Sequence, residues 1–555
     1  MELKHGDKPV VNVGNKQKPV YLPMDVLTVP PGRVFRGELS SAQRQNIIKF
    51  SCRKPPENYD SIIGDGLEIT GVTDRRTVPF EFQVGSKMAV VAARVLPAPV
   101  LKYRSGRDTP KGGSWNLIRK QFSRYISVNG YAAVVFHKES RQDQSLANCF
   151  MAFQDKMNEL GMDMKGVILP PLFINLKKEP LTQINQVNEM FDMLKKRRIT
   201  FAVILMPSGV ERVFDYIKWR SETVEGISTH CCMTTKFQKT EGSAQYYANN
   251  AMKVNLRLGG VNQVLEMPAS SLIASGKTMI VGLDVTHPSA TDPETFPSIA
   301  SIVASTNPLL GQWPGEVKIQ EARVEEVQHL KSMLLGRLRR WRTDNGSLPE
   351  NILIYRDGVS EGQYEMVVTS ELQQVREACR AIYGASSTPR ISIIVGGKRH
   401  NTRFFATKAG DLDRTSNCPN GTVVDRGITR PIYWEFFLQA QAPLQGSARS
   451  ARYVVVHDEI FTNATVRRQH LGGSSATDAV QELTHNICYM MGRCTRSISY
   501  STPAFLSDRF ADRARKYVRA YYWEMAVLRN NPRPPAPGDN VTTLAPTLAE
   551  KMVYI

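Results

Sequence analysis

The sequence predicts an α/β fold made of two successive units behind an irregular leading segment. Two stretches of alternation carry that reading. From about Asp108, short apolar runs alternate with helical segments: YAAVVFHK, SLANCFMAFQDKMNELG, GVILPPLFI, QINQVNEMFDMLKKRR, ITFAVILMP and ERVFDYIKWRSET. Such alternation implies a parallel sheet with helices on both faces. A second unit begins near Lys277. TMIVGLDVTH, PSIASIVASTN and EVKIQEARV read as its first strands, followed by the helix VQHLKSMLLGRLRRWRT. NILIYRD and RISIIVGGK read as strands on either side of the helix SELQQVREACRAIYG, with RYVVVHDEI as a late strand and QELTHNICYMMGRC and FADRARKYVRAYYW as late helices. A chain of 555 residues is too long for one core, which agrees with several domains.

The first hundred residues differ in texture. YLPMDVLTVPPGRVF (Tyr21 to Phe35) carries turn punctuation, and SSAQRQNIIKFSCR opens with a cap-like start and helical spacing. EFQVGSKMAVVAARVLPAPVLKY has strand-like alternation and then prolines. Residues 1–107 are therefore expected to form a linker with short strands and one or two helices. The tail PRPPAPGDNVTTLAPTLAE is Pro-rich and reads as a loop or disordered segment. The start MELKHGDKPV has no apolar core and is not read as a signal peptide; its abruptness suggests a piece of a longer chain.

Composition narrows the function. No apolar run approaches the roughly 20 residues that span a bilayer, so no membrane role is expected. The 8 cysteines form no C-x-x-C pair, which signals neither a thiolate zinc site nor a disulfide framework. A reducing compartment, cytoplasm or nucleus, fits that usage. A formal net charge of +19, spread along the chain, attracts a polyanion, and nucleic acid is the usual one.

Within this basic chain, two strands end in aspartate: Asp284 in IVGLDVTH and Asp357 in LIYRDGVS. Asp followed by Gly, as at Asp357, is also a common turn signal. Two carboxylates brought together repel each other, and a hard divalent cation such as Mg²⁺ relieves that. Two such ions about 4 Å apart clamp the attacking and leaving oxygens of a phosphodiester. Carboxylates on adjacent strands with an acidic residue on a helix are how a ribonuclease-H-like nuclease builds that clamp.

GLDVTHPS, YRDGVSEGQ, KRHNTRFF and RCTRSISYSTPAF together resemble the PIWI domain of eukaryotic Argonaute proteins, in the family's order. LRLGGVNQVL resembles the end of their MID domain, and YLPMDVL their second linker. The chain resembles a carboxy-terminal MID–PIWI lobe without amino-terminal and PAZ domains. The resemblance implies a Rossmann-like MID domain over residues 108–268 and a ribonuclease-H-like PIWI domain over 269–555. It implies guide-directed cleavage of RNA with two Mg²⁺ or Mn²⁺ ions by a tetrad of Asp284, Glu325, Asp357 and Asp508. Asp284, Asp357 and Asp508 would ligate metal, and Glu325 would complete the set from a loop. Glu321 and Glu326 neighbour Glu325, and His457 and Asp458 are alternatives for the fourth position. The family's animal slicers commonly have histidine where Asp508 stands.

A guide must also be held. In ERVFDYIKWR, Lys218 lies one turn beyond Phe214, and in AMKVNLRLGG, Lys253 and Arg257 repeat that spacing. Three such cations suit a terminal phosphate, although a solvated basic face is the commoner fate of such pairs. The resemblance implies a guide 5′-phosphate pocket of Phe214, Lys218, His230, Lys253 and Arg257, with Arg513 reaching in from PIWI. Phe214 stands where the family has tyrosine, and Tyr216 is the alternative there. His230 stands where the family has glutamine. Lys398, Arg399, Arg403, Arg493 and Arg496 are the candidates for holding the guide backbone. Phosphate contacts position a strand without reading its sequence. The partners implied are a small guide RNA, a complementary target RNA and silencing-complex proteins, for a monomer in the cytoplasm. A binding-only silencing scaffold and a guide-independent hybrid nuclease are the rival readings.

Overall fold

The computed structural model describes residues 6–15, 18–28, 30–32, 39–72, 84–138, 145–239, 242–289, 292–384, 388–530 and 532–555. The chain divides into two compact units, Met1–Arg53 and Lys54–Ile555. In the first unit, Val11–Asn12 pairs antiparallel with Tyr21–Leu22, and a 3₁₀ turn covers Met24–Val26. A helix follows over Ser41–Ser51. Ser40 caps it: its Oγ accepts from Gln43 N–H at 3.2 Å while its own N–H donates to Gln43 Oε1 at 2.8 Å. Part of the turn-rich stretch before Phe35, and the start of EFQVGSK, lie outside the described residues.

The second unit opens on short elements, including strand β1 (Arg94–Val95). Four strands then form an all-parallel sheet: β2 (Tyr131–His137), β3 (Val167–Asn175), β4 (Phe201–Met206) and β5 (Ser228–Met233), in the order β5-β4-β2-β3. Every residue of β4, FAVILM, is buried, as an apolar run covered on both faces must be. Helices α1 (Ser145–Glu159), α2 (Pro180–Lys196), α3 (Glu211–Trp219) and α4 (Ser243–Leu258) accompany it.

A nine-stranded mixed sheet follows. It comprises β6 (Thr278–Thr286), β7 (Ser298–Ala304), β8 (Gly315–Gln320), β9 (Asn351–Asp357), β10 (Arg390–Gly397), β11 (Thr422–Val424), β12 (Trp434–Gln439) and β13 (Ala451–Asp458). The order is β8-β7-β6-β9-β10-β13-β12-β11-β1. β6, β7 and β8 run as an antiparallel meander, and β9 and β10 lie parallel to β6. Helices α5 (Leu330–Asn345) and α6 (Leu372–Tyr383) cover one face, where Met279, Val281 and Leu283 of β6 join Leu334 and Val375 in one core.

On the other face lies α8 (Thr502–Arg529), which begins with Pro503 in its first turn and follows α7 (Ala476–Ile487). Gly282 lets it approach: a Cβ there would stand 2.0 Å from Pro503 O. The same helix reaches the first sheet, where Tyr216 of α3 meets Trp523 edge-on at 5.6 Å. α8 thus joins both sheets.

Two expectations change here. α7 ends at Ile487, so Cys488 to Arg493 lie beyond it, and α8 starts earlier than FADRARKY and takes Asp508 onto the helix. The Pro-rich tail is loop and turn, as read, but it is packed: Ala545 and Leu548 within it are buried, as are Val553, Tyr554 and Ile555 beyond it. Tyr554 stacks on Phe510 at 4.8 Å, and Trp219 Nε1 donates to Val541 O at 3.1 Å.

Candidate functional site

The sheet itself assembles the acidic residues. β6 and β9 are in register with Leu283 beside Arg356, so the next residues, Asp284 and Asp357, are neighbours. Asp284 sits inside β6, two residues before its end, rather than at the strand end. Period-two alternation sends Gly282 and Asp284 to the α8 face. There Ser507 Oγ lies 2.6 Å from Ser301 Oγ, and Ser301 is the β7 partner of Asp284, which fixes Asp508 one residue on. Glu325 arrives on the loop after β8. All four line one cleft of about 870 Å³ together with Lys398, Arg399, Arg452 and Tyr500.

Glu325 is held from two sides. Its Oε1 accepts from Arg356 Nη1 at 3.1 Å, and its Oε2 lies 2.9 Å from His287 Nε2. His287 Nδ1 lies 2.8 Å from Ser298 Oγ. Arg356 is fully buried and also bonds Glu371 Oε1 at 2.9 Å. Gly358, at φ +86°, leaves room for this: a Cβ would sit 3.1 Å from Glu325 Oε1 and 3.4 Å from Asp284 Oδ1.

Crowding shows in the acidities. Burial, then Asp357 and Asp508, push the Asp284 carboxyl well above the carboxylate range. Burial raises Asp357 too, against hydrogen bonds from Tyr500 and Gly358 N–H. Burial, then Asp512 and Asp357, push Asp508 up to about 6. Among the described residues, no group of three His, Cys, Asp or Glu side chains stands ready-made around a cation. Glu325 is turned to Arg356 and His287, and Asp357 Oδ1 to Gly358 N–H at 2.8 Å. The donor set is still all carboxylate oxygen under mutual repulsion, the chemistry that suits a hard divalent ion.

The alternatives fall elsewhere. Asp458 accepts from Ser392 Oγ at 2.6 Å and from Phe461 and Thr462 N–H, which makes it a turn-closing residue with its acid form disfavoured. His457 pairs with Glu459. Glu326 accepts from Ser370, and Glu321 from Gln328. None of the four lines the cleft.

The second constellation is built around a residue the sequence reading missed. Glu222, fully buried on the turn after α3, accepts from Arg257 at 2.9 Å and from Arg513 at 2.7 and 2.9 Å. Lys218 Nζ lies 3.6 Å away and donates to Thr229 O at 2.6 Å. Tyr517 also donates to Glu222. Burial lowers Lys218 to about 8. The i,i+4 spacing of Lys218 and Glu222 was visible in KWRSE, but nothing local marked Glu222 as buried. Arg257 further bonds the main-chain oxygen of Val553, which ties the packed tail to this cluster.

Lys253 is different: its nearest hydrogen-bond partner is the neutral Asn250 Oδ1 at 3.4 Å. His230 Nε2 lies 3.1 Å from the same oxygen, and burial plus Arg257 and Lys253 hold its pKa far down, so the ring is neutral. Phe214 is half-buried with Lys516 Nζ 4.5 Å above its ring. Tyr216 belongs to the core and donates to Glu524 at 2.8 Å.

The remaining cations divide. Lys398 and Arg399 line the acidic cleft, with Lys398 donating to Ser499. Arg403 donates to His400 O and Thr402 O at 3.0 and 2.8 Å, bracing its own loop. Arg493 belongs with the Glu222 cluster: burial, then Arg509, lower it to about 10, and it acts on Lys253. Arg496 forms an isolated bridge with Ser114.

A nine-stranded mixed sheet with carboxylates on adjacent strands, beside a parallel-sheet unit, is a ribonuclease-H-like arrangement. The Piwi domain family matches residues 200–519, and the chain belongs to that family, within the Argonautes. Rice protein argonaute 18 is 32% identical over 93% of this chain and 47% of its own length. Arabidopsis thaliana argonaute 10 is 31% identical over 98% of this chain and 55% of its own. The chain thus spans about half the length of the curated relatives it matches. Among solved structures, Kluyveromyces polysporus Argonaute with a guide RNA superposes with a TM-score of 0.80 at 25% identity, covering 100% of this chain and 63% of that one. The carboxy-terminal lobe of a budding yeast Argonaute gives 0.72 at 25% identity, over 84% and 95%.

Proposed function

We propose that this protein holds a small guide RNA by its 5′-phosphate and silences complementary RNA by cutting it. The observation that supports cutting is the convergence of Asp284, Glu325, Asp357 and Asp508, from four separate segments, on one cleft flanked by Lys398 and Arg399. Asp284, Asp357 and Asp508 would hold two Mg²⁺ or Mn²⁺ ions. Such ions supply Lewis acidity to a phosphodiester and a more acidic water. Glu325, steadied by Arg356 and His287, orients that water. Lys398 and Arg399 bring the scissile backbone to the cleft by its phosphates.

The guide end is read from charge. Lys218, Arg257 and Arg513 against Glu222 leave a buried excess of positive charge, with Lys253 beside it. A terminal phosphate, at roughly −1.5 to −2, matches that excess. Phe214 offers a ring face for the first base. The reading implies an RNA-loaded cytoplasmic protein.

The test is cleavage of a labelled target RNA by protein loaded with a complementary 5′-phosphorylated guide, in Mg²⁺ at physiological salt. One cut opposite the middle of the guide, absent in Asp357→Ala, supports the proposal. Tight phosphate-dependent guide binding without a cut leaves a binding-only silencer.

A further inference from the structure

The parallel sheet has a second cavity at its opposite edge. Its walls come from the segments leading into β2, β3 and β4, where the strands begin, and from Lys551 of the tail. The volume is about 650 Å³, within the range of small-molecule sites. Val128 and Ile168 give its wall an apolar patch among Ser127, Asn129 and Thr200, and Lys165, Arg198 and Lys551 line it as well. Among the described residues, no carboxylate lines it. Asp163 stands 3.8 Å from Lys165 at the rim, and it is already bonded by Ser127 Oγ at 2.7 Å.

Two of these cations are placed in unusual ways. Arg198 has φ +55°. It ends α2 in a double-bonded stop: Arg198 N–H donates to Lys195 O at 2.8 Å, and Ile199 N–H to Leu194 O at 2.9 Å. Glycine is the usual residue at that left-handed position. Here an arginine takes it, at the wall of the cavity. Lys551 is half-buried, and burial alone depresses its ammonium. On the third side Gly166, at φ +127°, has open space where a side chain would stand.

We propose that this cavity binds a nucleoside phosphate, the base on the Val128–Ile168 patch and the phosphate between Arg198, Lys551 and Lys165. A bare phosphate would leave the Val128–Ile168 patch unused, and a purely apolar ligand would leave Arg198 and Lys551 without an ion pair. The same chemistry is offered by a free nucleotide and by the terminal nucleotide of an RNA. None of Lys218, Glu222, Arg257 and Arg513 lines this cavity.

The test is titration of Lys253→Ala protein at physiological salt, where the other phosphate site is weakened and non-specific binding suppressed. UMP, inorganic phosphate and a 5′-phosphorylated RNA decamer are the probes. Saturable UMP binding that falls about tenfold or more on adding Arg198→Gly supports the site. Arg198→Gly keeps the helix stop and relieves its backbone, so the loss is not one of folding. Lys551→Met should give a similar loss. UMP tighter than the decamer assigns a free nucleotide, and the reverse assigns an RNA end. No saturable UMP binding, phosphate binding as tightly as UMP, or binding unchanged by Arg198→Gly overturns the proposal. These readouts stand whether or not the protein loads a guide.

Discussion

Arg356 and Glu325 are joined twice, Nη1 to Oε1 at 3.1 Å and Nη2 to the Glu325 main-chain oxygen at 2.6 Å. The guanidinium can do this because Glu371 grips its other edge. A planar fork bonds both partners, whereas an ammonium bonds from a point. Arg356→Gln should cost roughly 3–5 kcal/mol in denaturant unfolding, because Glu371 is left buried without its counter-ion. Arg356→Lys should lose less stability yet cut about 100-fold more slowly, since a misplaced Glu325 no longer orients water. Cutting by Arg356→Lys at the wild-type rate would separate the loop's position from catalysis.

Glu222 pairs with Lys218, Arg257 and Arg513, and a phosphate bound there would have to compete with it. Glu222→Gln should therefore destabilise the unliganded protein by about 3–5 kcal/mol, because three cations stay buried without a carboxylate. A 5′-phosphorylated guide should then raise the melting temperature of the variant more than that of the wild type. Equal shifts in thermal melts would mean that the phosphate does not reach this cluster.

Asp508 gives a pH signature in protein freed of divalent ions. Its carboxyl is raised from 3.8 to about 6, so the folded state binds the proton more tightly than the unfolded state. Its contribution is nil below about pH 4, turns unfavourable between 4 and 6, and is fully unfavourable above 6. Asp508→Asn should accordingly raise stability by about 1–2 kcal/mol at pH 7.5 in chelator, after allowance for partial exposure, and change nothing at pH 4. Melts at the two pH values check it, and a stabilisation equal at both would refute the assignment.

The elements that run as apolar periods were legible. β2 to β4 and helices α1 to α3 stand where FAVILM-like runs and amphipathic segments put them, because burial on both faces leaves an unbroken signal, whereas β5, STHCCM, has no such run and went unread. Asp284 and Asp357 were legible as charges at such runs. Arg356 lay in the same quoted run and went unread, because its partner Glu371 is distant in sequence and only the fold brings them together. Glu222 was hidden for the same reason: its cations come from α3, α4 and α8. The tail was legible as loop, but its packing was not, because proline content speaks of backbone preference and not of the burial of Leu548 within it or Tyr554 beyond it.

Gly358 tests the acidic cleft without touching a charge. Its φ of +86° disfavours any side chain, and a Cβ would stand 3.1 Å from Glu325 Oε1 and 3.4 Å from Asp284 Oδ1. Gly358→Ala should cost about 1–2 kcal/mol of stability from the left-handed backbone. Contact at 3.1 Å is relieved most cheaply by displacing Glu325, the carboxylate on a loop, since Asp284 is fixed in mid-strand. Cleavage should then fall by about 100-fold while guide binding is unchanged. Gly362, four residues on with open space around it, is the matched control, and its alanine variant should cut normally. If Gly358→Ala also cuts normally, Glu325 is not needed in the seat that Arg356 and His287 provide.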